Sequence, residues 1–110
     1  MKKALKKHSL DNVATVLENV NKGDQVVILS NKNTVLAELT AVEKIPFGNK
    51  IAITAIANNK VIMKCGFEIG RSNESIPEGD LVHVHNVRSE KINFPDTIIN
   101  EILRQMDIKR

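Results

Sequence analysis

The sequence has 110 residues, of which 42% are hydrophobic and 26% are charged, as expected for one folded domain with a single modest core. Four of the 16 basic residues lie in the first seven positions, so the rest of the chain is nearly neutral. Aromatic residues make up only 3%, with no Trp or Tyr, which argues against a nucleic-acid-binding protein. No apolar stretch follows the lysine-rich start, and no run reaches membrane-spanning length, so we expect neither a secretory signal peptide nor a transmembrane segment.

Cys65 is the single cysteine, so the chain cannot form an internal disulfide and we expect a soluble protein in a reducing, cytoplasmic setting. Free cysteine commonly behaves as a small core residue, and Cys65 ends an apolar run that reads as a strand. A structural thiol is therefore favoured over a nucleophile.

The first predicted element is a short amphipathic helix over residues 12–21. Asp11 is a good N-cap, apolar residues follow at helical spacing, and Gly23 supplies a stop. Residues 25–42 then change to β-branched clusters around a polar turn at residues 30–33, which predicts a hairpin.

The middle of the chain predicts further short strands. Residues 43–50 contain a proline and a glycine two positions apart and are predicted to form an ordered loop. Many short strands with frequent turns favour an irregular barrel or clip over a parallel α/β sheet. The remaining predicted strands are residues 51–57, 61–64, 66–70 and 81–87.

The C-terminal tail, residues 93–110, predicts an amphipathic helix. Asn93 can cap it, Pro95 fits its first turn, and apolar residues recur at helical spacing. Such a stripe must be covered by this domain or by a partner, which includes a second copy of the chain. The predicted fold class is therefore mainly β with an N-terminal and a C-terminal helix, with the domain at residues 1–92 and the tail at 93–110.

Histidines provide the first candidate site. In a strand, alternate side chains face the same side, so His83 and His85 would project together with Cα atoms about 6.5–7 Å apart. Imidazole binds metals and titrates near neutrality, so the pair fits a metal site or an acid–base pair, although a structural or surface role is also open. Asn86 would point to the other face, where its amide could orient a loop or a ligand. His8 is either solvated or a third imidazole that folding brings beside the other two.

Two basic residues follow loop glycines. Lys50 comes shortly after Gly48, and Arg71 directly follows Gly70, at positions where the backbone can approach a ligand closely. They are candidates for binding a carboxylate, with plain surface charge as the alternative. The sequence has no Ser/His/Asp arrangement in a recognisable context, no phosphate-binding glycine loop and no paired-cysteine zinc motif, which argues against hydrolase, kinase and zinc-finger functions.

Five short segments occur in one order along the chain: His8-x-x-Asp11-Asn12-Val13-Ala14, Ile45-Pro46-x-Gly48-x-Lys50-Ile51-Ala52, Lys64-x-Gly66-x-x-Ile69-Gly70, Ile76-x-x-Gly79 and Val82-His83-Val84-His85-Asn86. This series, over about residues 8–88, resembles the N-terminal SAF-type domain of the altronate and galactarate dehydratase family. In that family the domain is fused to a large catalytic domain or forms a separate small subunit, including in the related sulfolactate sulfo-lyase.

The resemblance implies a β-clip fold and a part in β-elimination on a sugar-acid substrate, forming a 2-keto-3-deoxy product. It also implies a divalent metal, usually iron, which a large partner subunit would help to bind. His8, His83 and His85 match family positions and are candidates for catalysis, and His83 and His85 are also candidates for metal binding. Lys50, Arg71 and Asn86 are the candidates for substrate binding, and Arg71 is chosen for its place after Gly70.

The chain departs from the family pattern at Asn49, where the family usually has histidine, at Ser9 in place of proline, and at Cys65 in place of an aromatic residue. The leading hypothesis is the small subunit of a sugar-acid dehydratase or related lyase that is inactive without its large subunit. The alternatives are a stand-alone module that binds a small hydroxy acid without catalysis and a structural homo-oligomer that buries the tail helix.

Overall fold

The structure is a computed structural model that describes residues 1–83 and 85–88. These residues form nine strands and no helix, so none of them belongs to a helix that could cross a membrane. One sheet has six strands in the order β4-β3-β1-β2-β5-β8, and the other has three in the order β6-β7-β9. The strands are β1 Lys2–Lys6, β2 Val13–Val16, β3 Gln25–Ser30, β4 Val35–Thr40, β5 Lys50–Ala52, β6 Val61–Lys64, β7 Phe67–Ser72, β8 Leu81–Val82 and β9 Val87–Arg88.

The predicted helix over residues 12–21 is wrong, because this segment contributes β2, which lies inside the large sheet. β2 pairs antiparallel with both β1 and β5. Val13 and Ala14 are both buried and belong to different cores, so both faces of the strand are covered. A strand buried on both faces reads as a continuous apolar run, which periodicity does not distinguish from a buried helix.

The described residues are therefore all β, and the fold class predicted with a helix at each end is corrected accordingly. A β-clip of the SAF type fits these strands. The predicted hairpin over residues 25–42 is confirmed as β3 and β4. The tail helix over residues 93–110, the domain boundary before it and the oligomer contact through it lie outside the described residues.

The central strands β2, β5 and β8 separate two apolar cores. Val13, Ala52 and Val82 lie in the core that these strands share with the small sheet. The residues next to them in sequence, Ala14, Ile51 and Leu81, point to the opposite face of the same strands. They belong to the core under the rest of the large sheet. Because side chains alternate along a strand, Lys50 lies on the same face as Ala52 and is directed toward the small sheet.

Asp11 fastens the tip of the β6–β7 hairpin to the loop before β2. Asp11 is only 5% exposed, and its carboxylate accepts hydrogen bonds from the backbone N–H groups of His8 at 3.1 Å, Cys65 at 2.8 Å and Gly66 at 2.9 Å. Cys65 and Gly66 have φ angles of 55° and 79°, as in a two-residue turn of type I′. The carboxylate expected to cap a helix thus binds the backbone N–H groups of a hairpin.

Asn12 continues this attachment along β6. Its side-chain amide donates to the carbonyl of Val61, and its side-chain oxygen accepts from the N–H of Met63, both at 2.9 Å. One side chain therefore supplies both hydrogen-bonding groups that a neighbouring strand would otherwise offer at this point. The two residues together fix the small sheet against β2.

Replacing Asp11 should destabilise the fold much more than replacing Asp24, a partly exposed turn aspartate. We expect Asp11→Ala to lower the free energy of unfolding by about 2–4 kcal/mol, because it leaves buried N–H groups without their charged acceptor. Asp24 accepts one exposed hydrogen bond from the N–H of Asn21 at 2.9 Å, so Asp24→Ala should cost only about 0.5–1 kcal/mol. Urea unfolding measures both losses, and equal small losses would contradict the role assigned to Asp11.

Candidate functional site

The predicted strand over residues 81–87 is not continuous. β8 ends at Val82, the chain turns, and β9 begins at Val87 in the other sheet. The carbonyl of His83 accepts hydrogen bonds from the N–H groups of Asn86 and Val87, both at 3.0 Å. His83 and His85 therefore lie in a turn, and strand alternation does not place them on one face as predicted.

Asn86 builds this turn. Its side chain is fully buried, accepts from the N–H of His83 at 2.9 Å and donates to the carbonyl of Leu81 at 2.7 Å. These contacts make Asn86 a positioning residue for His83. Direct contact between Asn86 and a substrate stays a prediction.

Lys50 lies at the start of β5, between Thr15 of β2 and Val82 of β8. Its side chain is partly buried on the face that the small sheet covers. Burial lowers the pKa of Lys50, and the positive charge of Lys64 lowers it further. The charge that acts on Lys50 thus comes from the other sheet.

His83 directly follows Val82, the residue that pairs with Lys50 across the two strands. Burial lowers the pKa of His83, and the positive charge of Lys50 adds to this effect, so the neutral imidazole is favoured. Among the described residues, neither Lys50 nor Lys64 forms an ion pair with a carboxylate. The positive charge of Lys64 and Lys50 thus has no paired carboxylate in the described part of the chain, and we call these two lysines together with His83 the cationic row.

The sequence pattern predicted no role for Lys64, although this residue belongs to one of the five segments that resemble the family. It ends β6, directly before the turn formed by Cys65 and Gly66. Its position is set by the Asp11 contacts, which join residues more than fifty positions apart. The only sequence feature that could have indicated a role for Lys64 was its place two residues before Gly66 in a matching segment.

Asn49, one of the expected departures from the family pattern, has its side chain turned back onto its own loop. Its amide donates to the carbonyl of Pro46 at 3.1 Å. Its backbone carbonyl accepts from the N–H of Val16 at 2.9 Å. Asn49 therefore stabilises the loop that leads into Lys50.

His8 contacts the turn of the β6–β7 hairpin. A Cβ atom built on Gly66 would lie 2.9 Å from Cδ2 of His8, so the imidazole rests against this glycine. Nδ1 of His8 accepts from the N–H of Leu10 at 3.1 Å, which places the proton of the neutral ring on Nε2. The exposed His8 also lines a cleft of about 330 Å³ together with Lys6, Lys7, Ser9, Ser30, Asn31 and Leu36.

Two other predicted features lie elsewhere. Arg71 pairs in register with Val61, at the end of the β6–β7 hairpin away from Lys64, and donates to the carbonyl of Asn59 at 3.2 Å. It does not belong to the cationic row. Cys65 is exposed at the hairpin tip, so its interpretation as a small core residue is wrong.

A metal site needs several donor side chains grouped around one point. Within residues 1–83 and 85–88, no three His, Cys, Asp or Glu side chains are grouped so that they could hold a metal ion. His8, His83 and His85 are therefore not gathered as one ligand set. Lys50 also places a positive charge beside His83, which opposes the binding of a cation. The described residues on their own do not fit a resident divalent metal.

The contact between His8 and Gly66 can be tested with a matched glycine. Gly66 and Gly48 have φ angles of 79° and 83°, but a Cβ atom on Gly48 would meet nothing within 4 Å. Alanine at either position should cost about 1–2 kcal/mol of unfolding free energy because of the left-handed backbone. Only Gly66→Ala should shift the ring-proton NMR signals of His8, because only there must the imidazole move. An unchanged His8 spectrum in Gly66→Ala would show that the contact is absent in solution.

The stability of the protein should depend on pH through His83. The folded state binds a proton at this imidazole more weakly than the unfolded state, whose pKa is the ordinary 6.5. As the pH falls through 6.5 the unfolded state takes up the proton first, so the free energy of unfolding should decrease and then level off below the folded-state pKa. Urea unfolding from pH 8 to pH 5 measures this, and His83→Gln should remove that part of the dependence.

The contribution of Lys50 is tested separately. Lys50→Met should raise the pKa of His83, read from its imidazole NMR signals. Lys60→Met, at an exposed position outside the cationic row, should leave that pKa unchanged. If both variants leave it unchanged, Lys50 does not act on His83.

Comparison with known proteins places these features in a family. Residues 2–90 match the family model described as the altronate/galactarate dehydratase SAF domain. The altronate dehydratase of Bacillus subtilis (strain 168) is 33% identical over 89 residues, which are 81% of this chain and 17% of that protein. The altronate dehydratase of Escherichia coli (strain K12) is 35% identical over 85 residues, or 77% of this chain and 16% of that protein.

A third relative has a different length. The (2R)-sulfolactate sulfo-lyase subunit alpha of Chromohalobacter salexigens is 33% identical over 78 residues, which are 69% of this chain and 81% of that subunit. The chain thus spans about one sixth of the two altronate dehydratases but most of the sulfo-lyase subunit. The five matching segments, the all-β fold and a family match over residues 2–90 agree, and the chain belongs to the altronate/galactarate dehydratase SAF-domain family.

Proposed function

We propose that this chain is the small component of a lyase that eliminates water, or a comparable leaving group, from a hydroxy acid, and that a separate large subunit completes it. Family membership supports a dehydratase or lyase context. The relative named subunit alpha of a sulfo-lyase, matched over 81% of its length, supports a separate small subunit. The altronate dehydratases, matched over 17% and 16% of their lengths, support a further large catalytic part.

The observation that carries the proposal is the cationic row. Two partly buried lysines and a histidine, with no carboxylate paired to either lysine in the described part of the chain, suit an anionic ligand. The acid group of a hydroxy acid has the matching charge. We therefore assign Lys50 to the substrate carboxylate.

The chemistry requires a base beside that carboxylate. Elimination breaks the C–H bond next to the carboxylate, and His83 accepts this proton because burial and Lys50 keep its imidazole neutral. The electron pair is held first in the acid group. It then forms the carbon–carbon double bond as the neighbouring C–O bond breaks, and the hydroxyl leaves as water with a proton from an acid. The enol product then tautomerises to the 2-keto-3-deoxy acid. His8 and His85 are the candidates for the acid.

We assign the divalent metal of the reaction, iron, to the large subunit. The described residues of this chain do not fit it, and a cation would be repelled by the lysines of the cationic row. On this proposal the small subunit contributes a base and positive charge, and the large subunit contributes the remaining groups.

The proposal is tested by mixing the purified chain with the large subunit and measuring elimination from altronate, galactarate and sulfolactate. We expect no turnover by the chain alone and turnover of at least one acid by the complex. In the complex, Lys50→Met should lower kcat/KM about 100-fold, since it removes a group that faces developing negative charge. Lys60→Met is the matched control and should retain the rate.

Two outcomes would contradict the proposal. The first is the absence of both complex formation and turnover with all three acids. The second is saturable binding of a hydroxy acid by the chain alone with no turnover in any mixture, which would favour the stand-alone binding module.

A further inference from the structure

We propose that Lys64 joins Lys50 in holding one carboxylate of the ligand, so that two ammonium groups from two different sheets enclose the same acid group. This inference rests on the proposed function and extends it, because it names a second binding residue and the ligand group that both lysines share.

Lys64 and Lys50 belong to different sheets. Lys50 comes from β5 of the large sheet and Lys64 from the end of β6 in the small sheet. No ladder of hydrogen bonds links β5 to β6. Ala52, two residues after Lys50 on β5, and Ile62, two residues before Lys64 on β6, are buried in the same core. Because side chains alternate along a strand, both lysines are directed to the space between the sheets. Asp11 and Asn12 hold this arrangement by attaching the β6–β7 hairpin to β2, the strand beside β5. The two charges are thus brought together by tertiary contacts.

The charges of this pair are unfavourable until an anion is present. Two partly buried ammonium groups repel each other, and in the described part of the chain neither is paired with a carboxylate. A carboxylate between them would replace this repulsion with two charge-assisted hydrogen bonds. The pair is therefore better suited to a bound acid than to the empty protein.

The second ammonium also matches the change in charge during elimination. When the carbon beside a carboxylate loses its proton, the electron pair moves into the acid group, which then carries two negative charges instead of one. Two lysines balance both negative charges of this group, whereas one lysine balances only the single charge of the ground-state carboxylate. Lys64 should therefore affect the rate more than the binding of substrate.

Binding is measured first, on the chain alone, with glycolate as a probe that has one carboxylate beside one hydroxyl. We expect saturable changes in the side-chain NMR signals of both Lys50 and Lys64, and none with ethylene glycol, which lacks the charge. Lys64→Met should weaken glycolate binding about tenfold, and the control Lys60→Met should not change it. Glycolate binding that is absent, or that is unaffected by Lys64→Met, overturns the inference.

Turnover by the complex separates this inference from the proposed function. The factor by which Lys64→Met lowers kcat should be at least ten times the factor by which it raises KM. If the complex turns over and Lys64→Met leaves kcat unchanged, the shared carboxylate is excluded while the proposed function stands. If glycolate binds through both lysines but no mixture turns over, the lyase proposal fails and the carboxylate site remains.

Discussion

The arrangement of the molecule depends on the buried carboxylate of Asp11 and the three backbone N–H groups that it binds. This contact joins the loop before β2 to a hairpin tip more than fifty residues later in the chain. Hydrogen bonds to an ionised acceptor are stronger than neutral ones, and burial at 5% exposure limits competition from water. Asn12 adds two further hydrogen bonds. Without this attachment, Lys64 would not be held near Lys50 and His8 would not rest on Gly66.

The central strands give the site its second constraint. Because β2, β5 and β8 are covered on both faces, a polar side chain on them must lie at a strand end or between the sheets. Lys50 meets this condition at the first position of β5, and His83 directly follows the last position of β8. Asn86 then fixes the backbone of His83 from inside the turn. Rigid strands and a buried amide thus position the basic groups of the cationic row.

Much of this could be predicted from residue patterns, and the failures have physical causes. The hairpin of β3 and β4 was predicted because β-branched residues flank a polar turn, and the ordered segments around His8, Lys50 and His83 indicated the family. The helix over residues 12–21 was wrong because β2 is apolar on both faces. β1 was missed because its lysines concealed a fully buried Ala4 between two paired strands. Lys64 was overlooked because its surroundings come from Asp11, and periodicity carries no information about contacts so distant in sequence.

The alternation along β5 has a further consequence for folding. A slip of one residue in the pairing of this strand would exchange the faces of Lys50 and Ile51. The ammonium group would then enter a position that Ile51 occupies with 0% exposure, at a cost of several kcal/mol for an unpaired charge. A short strand of three residues has few contacts with which to select its own alignment. The charge that binds the ligand therefore also destabilises the misaligned pairing. Replacing Lys50 with an apolar residue would weaken the site and would also make the native pairing of β5 less specific.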